Sequence, residues 1–531
     1  MTESAGSLSA SSGLVIARPL RLLRYDDPVA LFAICIVTIT GLTVLRGVFA
    51  ATLELRVDEA YYWTWSRENV ISYLDHPPMI AWCVRLGTLL FGDTNFGVRF
   101  TGLIGMALMQ LLLADIVWRT LRDLRYVAIA VLLPEAALDY GLLMTKVVPD
   151  TALIVFALAM VWSLVRLALS DDYRWWLPAG LFGGLALLTK YTAILLLPAI
   201  IAYVVIPQWR MKQLRSTYLW LAVVIAVAIF SPVLYWNAVH NWASFKFQLD
   251  RPAQLQVWSA RFLLDFVGQQ FVLVGPLLLP IAAIGTGMLA WRGYRDNDPI
   301  SILLSTCVIV PVAFLVWRSF SSRIGDSWPL LIWPFAFASA VINLKQWRQD
   351  NPASPMAQSA PAIMGGALVL GSAAVMAALV YYIAGSANYL TNDDPIGKEA
   401  GFAGVVEAAK NAMESVGAAW FATTDYRIYA MLRWHLKDRI PVIQINERSR
   451  YIDFAASEMA SDGSPGLYVA PADSQYDWLW QKSDAVLTPV ASVDLNWRGF
   501  RYDIYSMKKL TGWTPVLDPP SGDAFYVSSP R

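Results

Sequence analysis

Long apolar runs, broken at intervals by short polar loops, dominate the larger N-terminal part of this chain. A spanning helix needs roughly 20 mainly apolar residues. Runs of that kind lie near 28–50, 95–118, 126–144, 150–169, 175–190, 191–207, 218–237, 263–291, 299–317, 327–343 and 361–385. They predict a polytopic α-helical membrane bundle over 28–385, with a polar N-terminal tail at 1–27. The pair 175–190 and 191–207 is tight, meeting around Thr189-Lys190-Tyr191-Thr192. The segment 77–92 is short and amphipathic, which suits a helix lying in the interface. From about 386 onward the pattern changes. Gly404–Gly417 has helical periodicity, Ala418–Ala422 is strand-like, 425–437 is helical and Val442–Ile445 is a short apolar run. That alternation predicts a soluble α/β domain over 386–531. Gln349–Ala360, with Pro352 and Pro355, reads as a loose connector.

Composition strengthens the membrane reading. Of 531 residues, 57% are hydrophobic and 15% charged, against about 25% charged in soluble proteins. A large core cannot account for the deficit, because a soluble protein of any size still needs a polar exterior. Net charge is +1, so there is no bulk electrostatic case for nucleic acid. Cys35, Cys83 and Cys307 form no metal-spaced pair and no disulfide framework. Arg18, Arg21 and Arg24 precede the first apolar run, which has no small-residue cleavage site after it and is expected to be retained.

Charge also orients the bundle. With the N-terminus cytoplasmic, the cytoplasmic loops carry Arg119/Arg122/Arg125, Arg166/Arg174, Arg210/Lys212/Arg215, Arg292/Arg295 and Lys345/Arg348. Every second loop is then basic, as the positive-inside rule requires. The other set of loops, 51–76, 144–150, 190–192, 238–262 and 318–326, gathers Asp, Lys, His, Trp and Pro. An odd number of spans puts the C-terminal domain on that same side.

Six stretches of that side carry candidate chemistry. Arg56-Val57-Asp58-Glu59-Ala60-Tyr61-Tyr62-Trp63 sets two carboxylates before an aromatic belt. Asp58 could serve as base, metal ligand or electrostatic stabiliser, or as a helix cap. Tyr73-Leu74-Asp75-His76-Pro77-Pro78 places a cation beside a carboxylate, and capping is the plain alternative. Thr145-Lys146-Val147-Val148-Pro149-Asp150 joins two runs, with Asp150 where a helix N-terminus favours an anion. Lys190 lies between two apolar stretches with no carboxylate near it in sequence; its partner must be Asp58, Asp150 or a ligand's phosphate. Trp236-Asn237, His240 and Trp242 combine rings and polar groups suited to a sugar, and interfacial anchoring also accounts for the indoles. Arg323 could take a phosphate oxygen, Asp326 or a lipid headgroup. Acid, base, cation and aromatic groups thus meet on one side of the membrane, as processing an amphiphile there requires.

The run Asp58-Glu59-Ala60-Tyr61-Tyr62-Trp63 followed by Asp75-His76-Pro77-Pro78 resembles the first periplasmic loop of the dolichyl-phosphate-mannose mannosyltransferase-like superfamily. Pro149-Asp150, Thr189-Lys190-Tyr191-Thr192 and Ser231-Pro232 through Phe245 resemble glycosyltransferase family 83, the aminoarabinose and galacturonosyl transferases of lipid A and lipopolysaccharide core. The resemblance runs through about 28–345. It implies a GT-C fold of about 11–13 transmembrane helices, a first periplasmic loop at 51–94 and a bacterial inner-membrane location. It also implies inverting transfer from a polyprenyl-phosphate sugar to an envelope acceptor, either lipid A, lipopolysaccharide or another envelope glycan or protein. Asp58 and Asp150 match the catalytic aspartates of such enzymes. His76, Lys190 and Arg323 are then expected at the donor phosphate. Glu59, Tyr61, Tyr62, Asp75, Lys146, Tyr191, Trp236, Asn237, His240 and Trp242 are expected at the sugar and acceptor. No obligatory cofactor is implied, although Asp58 and Glu59 would admit a divalent cation. The chain departs from the aminoarabinose pattern at Asp75-His76, where those enzymes have Glu-Lys, and at Tyr61, where they carry Arg. A transporter or flippase of lipid-linked sugars shares the spans and the polar face, but it should show repeated halves, and no repeat is found.

Overall fold

The computed structural model describes residues 27–141, 146–253, 259–383, 402–445, 448–451, 453–454, 464–472, 486–495 and 500–508. The helical part runs α1 (Pro28–Thr52), α2 (Val57–Arg67), α3 (Met79–Phe91), α4 (Asn95–Leu121), α5 (Leu124–Glu135) and α6 (Leu138–Gly141). It continues with α7 (Pro149–Ser170), α8 (Trp176–Thr189), a 3-10 turn (Tyr191–Leu196), α9 (Leu197–Val205), α10 (Arg210–Arg215), α11 (Thr217–Val239) and α12 (Ala243–Ala253). Then come α13 (Ala260–Leu273), α14 (Leu278–Asp296), α15 (Pro299–Ser319), α16 (Trp333–Asp350) and α17 (Pro355–Ile383). Seven helices among the described residues are long and apolar enough to cross a membrane, and an eighth is reached if α13 and α14 form one span bent by 104°. Gly275, at φ 110°, and Pro276 account for that bend.

The protein is therefore a multi-pass membrane protein, but four of the eleven expected runs do not form full-length single helices, the bent run at 263–291 among them. The run at 126–144 is interrupted after Pro134, giving α5 and the short α6, and 142–145 lie outside the described residues. The run at 175–190 forms α8, whose 14 residues rise about 21 Å at 1.5 Å each, short of the roughly 30 Å core. The run at 191–207 becomes a 3-10 turn plus the nine-residue α9. Met79–Phe91 is a short apolar helix, matching the expected non-spanning segment. Most side chains of α1, α11 and α17 are left uncovered by the rest of the chain; they face outward, where lipid is the solvent that tolerates them.

Two devices hold helices together without a hydrophobic gain from water. A Cβ on Gly180 would lie 2.4 Å from the Ala222 carbonyl oxygen, and one on Gly184 would lie 2.9 Å from Ala226 Cα. Glycine spaced by four residues thus lets α8 and α11 touch at the backbone. Deeper in the bundle, Arg46 of α1 pairs with Glu135 of α5, and Gln110 of α4 donates to the same carboxylate at 2.8 Å.

The C-terminal unit contains α18 (Phe402–Val416), β1 (Trp420–Thr423), α19 (Tyr426–Leu436), β2 (Val442–Gln444), β3 (Gly466–Pro471), β4 (Val486–Leu495) and β5 (Phe500–Lys508). The helix–strand–helix–strand order predicted for 404–445 is the order found. The strands form one sheet in the order β2-β1-β3-β5-β4, with β1 parallel to β2 and β3, and β5 antiparallel to β3 and β4. Its core does not close on itself. Trp63, Trp65 and Tyr73 share one apolar cluster with Ile428, Trp434, Phe454 and Val469. The loop after α1 and the C-terminal unit are consequently packed as one body, at the end of the bundle that carries α2.

Candidate active site

Asp58 and Glu59 are neighbours in the first turn of α2 and meet opposite environments. Asp58 is exposed, whereas Glu59 is fully buried. The Arg56 amide donates to Glu59 Oε2 at 3.0 Å, so that the third helical residue caps the chain before α2, and the Val147 amide donates to Oε1 at 3.0 Å. Arg99 adds Nε to Oε1 at 2.8 Å and Nη2 to Oε2 at 2.6 Å. Its other bonds go to the carbonyls of Ala50, Leu53 and Glu54 at the end of α1. Burial alone would raise the Glu59 pKa; the Arg99 charge and the converging donors override it and hold the carboxyl below its ordinary value. The reading of Glu59 as a sugar contact is thereby corrected: its oxygens tie α1, α2, α4 and the segment before α7 together.

Tyr62, one turn further along α2, marks where the acids converge. Burial first, then the charges of Asp58, Asp75 and Asp150, push its phenol well above the ordinary range. The hydroxyl stays protonated beside three carboxylates that are far apart in sequence. Asp75 lies in the turn before α3, buried. The Tyr61 hydroxyl donates to its Oδ2 at 2.9 Å, and Arg450 Nη1 lies 2.7 Å from both oxygens. The His76 ring stands 6.4 Å from that of Tyr62 and 6.5 Å from that of Trp65. The turn folds back because Tyr73 stacks on Trp65, with centroids 4.2 Å apart.

Asp150 follows Pro149 at the start of α7, and Lys190 ends α8 in an extended conformation. Lys190 Nζ donates to both Asp150 oxygens, at 2.8 and 2.7 Å, with the Trp328 ring 6.0 Å away. Of the partners open to Lys190, the fold selects Asp150. Lys146 is buried and lies 3.6 Å from Asp326. Arg323 is exposed and makes no ion pair among the described residues.

The hairpin from α11 to α12 supplies the aromatic wall. Asn237 donates to the Val233 carbonyl at 3.0 Å and accepts the Phe245 amide at 3.2 Å. Asn241 and Trp242 turn the chain at φ 54° and 61°. Ser244 donates to the Leu74 carbonyl at 2.6 Å and sits 2.7 Å from the Tyr191 hydroxyl. Asn237 and Tyr191 thus spend polar atoms on shaping the hairpin and seating it on the Asp75 turn. Trp242 is exposed and stacks on Phe245 at 5.8 Å. Trp236 is buried, stacks on His240 at 4.3 Å and donates its indole N–H to Asp453 at 2.6 Å.

The fold therefore gathers Asp58, Tyr61, Tyr62, Asp75, His76, Asp150 and Lys190 at one end of the bundle. It adds residues the sequence reading missed. Arg99 had a signal, since it is a cation at the start of an apolar run. Arg450 and Asp453 had none, because nothing in their neighbourhood marks them and their partners lie more than 200 positions away. Among the described residues no three His, Cys, Asp or Glu side chains gather to hold a metal ion. Glu59, one of the two carboxylates through which a divalent cation was admitted, is committed to Arg99.

Comparison with known proteins bears on the fold and on the kind of protein that carries it. Residues 75–236 match the family described as dolichyl-phosphate-mannose-protein mannosyltransferase. The chain is 29% identical over 307 residues to the lipid A galacturonosyltransferase RgtD of Rhizobium johnstonii, covering 52% of this chain and 61% of that one. It is 26% identical over 285 residues to undecaprenyl phosphate-alpha-4-amino-4-deoxy-L-arabinose arabinosyl transferase 1 of Sodalis glossinidius, covering 48% and 49%. The chain thus spans less than two thirds of the length of these relatives. The crystal structure of ArnT from Cupriavidus metallidurans bound to undecaprenyl phosphate superimposes with a TM-score of 0.59 at 14% identity, over 90% of this chain and 97% of that one. The fold is thus the GT-C membrane fold of that structure. In sequence the chain is similar to glycosyltransferases of the family 83 kind.

Proposed function

We propose that this protein is an inverting glycosyltransferase that moves a sugar from a polyprenyl-phosphate donor to an envelope acceptor, with lipid A or lipopolysaccharide the favoured class, at the periplasmic face of a bacterial inner membrane. The observation that carries the reading is Lys190. A buried ammonium sits where α8 gives way to the 3-10 turn, and an apolar cavity of about 280 Å³ is walled by Ala186, Leu187, Ala193 and Ile194 on either side of it. Ala179, Gly180 and Gly183 of α8 and Ala222 and Ala226 of α11 line the same cavity. Lys190 offers a cation to a donor phosphate, and the cavity beside it along the chain offers an apolar surface to the polyprenyl tail.

The chemistry follows from that placement. The acceptor oxygen attacks the anomeric carbon as the bond from that carbon to the phosphate oxygen breaks, and the electron pair leaves on polyprenyl phosphate. Lys190, with His76 and Arg323 reaching from neighbouring loops, stabilises the charge that builds on the leaving group. Asp58 receives the proton of a hydroxyl acceptor; a phosphate acceptor needs no base, and Asp58 then orients it. Asp150 fixes Lys190. The basic loops at the opposite end of the bundle, including Arg125, Lys345 and Arg348, support the orientation with α2 and the C-terminal unit in the periplasm.

Purified full-length protein in nanodiscs, given polyprenyl-phosphate sugars and lipopolysaccharide acceptors, tests the reading. Transfer by wild type, lost in Asp58→Asn and Lys190→Met, is the expected result. No transfer with any donor, together with donor movement across proteoliposomes, would replace it by a flippase.

A further inference from the structure

Two loops of the helical bundle meet one short segment of the C-terminal unit. Arg450 lies in the 3-10 turn Arg448–Tyr451, and Asp453 follows three residues later. Arg450 Nη1 holds both oxygens of Asp75 at 2.7 Å, while its guanidinium sits between the rings of Phe247, at 5.7 Å, and Tyr426, at 5.6 Å. Asp453 takes the Trp236 indole N–H on Oδ2 at 2.6 Å and lies 3.2 Å from His240 Nε2 through Oδ1. His240 Nδ1 is 2.8 Å from the Trp236 carbonyl. Both ring nitrogens therefore face an oxygen, and the imidazole is fixed in rotation.

We propose that Arg450 and Asp453 are positioning residues of the transfer site, so that the C-terminal unit completes the site and sets the distance between its two loops. The inference rests on the transferase reading above. Asp75 is 6% exposed, and a carboxylate so buried keeps its place only while a cation and donors hold it. The peptide that carries it also carries His76. On the other side, Asp453 holds the end of α11 from which the aromatic wall continues. A single segment thus spans both loops, and small displacements at reacting groups cost rate steeply, about 10²-fold for 1 Å.

Attachment of the C-terminal unit does not rest on the Arg450 and Asp453 side chains alone. Arg433 of α19 pairs with Glu68 at 3.1 Å, and Trp434 packs edge-on against Trp63 with centroids 5.3 Å apart. Neither contact touches the Asp75 turn or the α11 hairpin. Docking and loop positioning are carried by different residues, which makes them separable.

The test is steady-state transfer from polyprenyl-phosphate sugar by the full chain in nanodiscs, with thermal stability measured alongside. Arg450→Ala is expected to lower kcat about 10- to 100-fold and to lower Tm, since it leaves Asp75 buried without its cation, whereas Arg450→Lys, which keeps the charge, should hold Tm and recover only part of kcat. Asp453→Ala is expected to lower kcat less and to raise the KM of the acceptor. Arg433→Ala should keep the wild-type kcat. If Arg450→Lys and Asp453→Ala both turn over as wild type, or if Arg433→Ala loses as much rate as Arg450→Ala, the segment is only an attachment and the proposal fails. Wild type inactive with every donor would remove the transferase reading and this inference together; an active wild type with unaffected variants removes the inference alone.

Discussion

Two ion pairs lie buried at the same end of the bundle and differ in how completely they are satisfied. At the seam of α2 and α4, Glu59 receives four hydrogen bonds, and Arg99 spends its remaining donors on three carbonyls of the α1 terminus. At the seam of α7 and α8, Lys190 gives two bonds to Asp150 and has a tryptophan ring nearby. The first pair is saturated by protein and serves the fold. The second leaves ammonium capacity that a phosphate oxygen can use. Burial and opposite charge are common to both, so neither property distinguishes a structural pair from a functional one; the count of satisfied donors and acceptors does.

The sharpest way to break that contrast is Arg99→Met. It leaves Glu59 charged, buried and without its cation, a change that costs about 3–5 kcal/mol. The expected outcome is loss of the monodisperse peak in size-exclusion chromatography, and a variant that elutes and melts as wild type would erase the distinction. Lys190→Met should act in the other direction. Asp150 stays in the first turn of α7, where the helix N-terminus favours its charge, so the fold survives with a smaller fall in Tm. Turnover should drop about 10²–10³-fold, the usual consequence of removing one such electrostatic group, read in the nanodisc transfer assay. Asp58→Asn, at an exposed position, should lower turnover with Tm unchanged.

Acid titration sharpens the first pair. The Glu59 pKa is held below its reference of 4.5, so its contribution is fully present above about 4.5 and is lost as pH falls through the folded value. Thermal melts of wild type should therefore steepen downward on the acid side, and Glu59→Gln should flatten that limb. The smallest effect belongs to Lys437, half-buried over the Trp434 ring, where burial lowers the pKa from 10.5 to about 8. The unfolded chain binds that proton more tightly, so stability rises as pH climbs from about 8 to 10.5 and falls in the reverse direction. Lys437→Met should remove this gentle alkaline rise in Tm.

Much of the architecture was legible in the chain. Apolar runs marked the membrane helices because lipid imposes length and composition on anything that crosses it. The motifs around Asp58, Asp75, Asp150 and Lys190 were legible because ionisable groups are conspicuous against an apolar background. Continuity of the helices was not: 126–144, 175–207 and 263–291 are mainly apolar, yet the first breaks after Glu135, the second at the extended Lys190 and the third near Gly275. Hydropathy measures solvent preference and carries no information on where the backbone bends.

The sequence by itself determined the solvent and the residue types that interrupt the apolar runs. Only the tertiary structure decided their roles. Asp58 and Glu59 are adjacent and chemically alike, and one faces solvent while the other is locked to Arg99 because successive residues on a helix point about 100° apart. Likewise Asp75 finds its cation at Arg450 and Trp236 its acceptor at Asp453, across hundreds of residues. Electrostatic and hydrogen-bond partnerships depend on distance in space, and that distance is set by how α2, the α11 hairpin and the C-terminal unit pack.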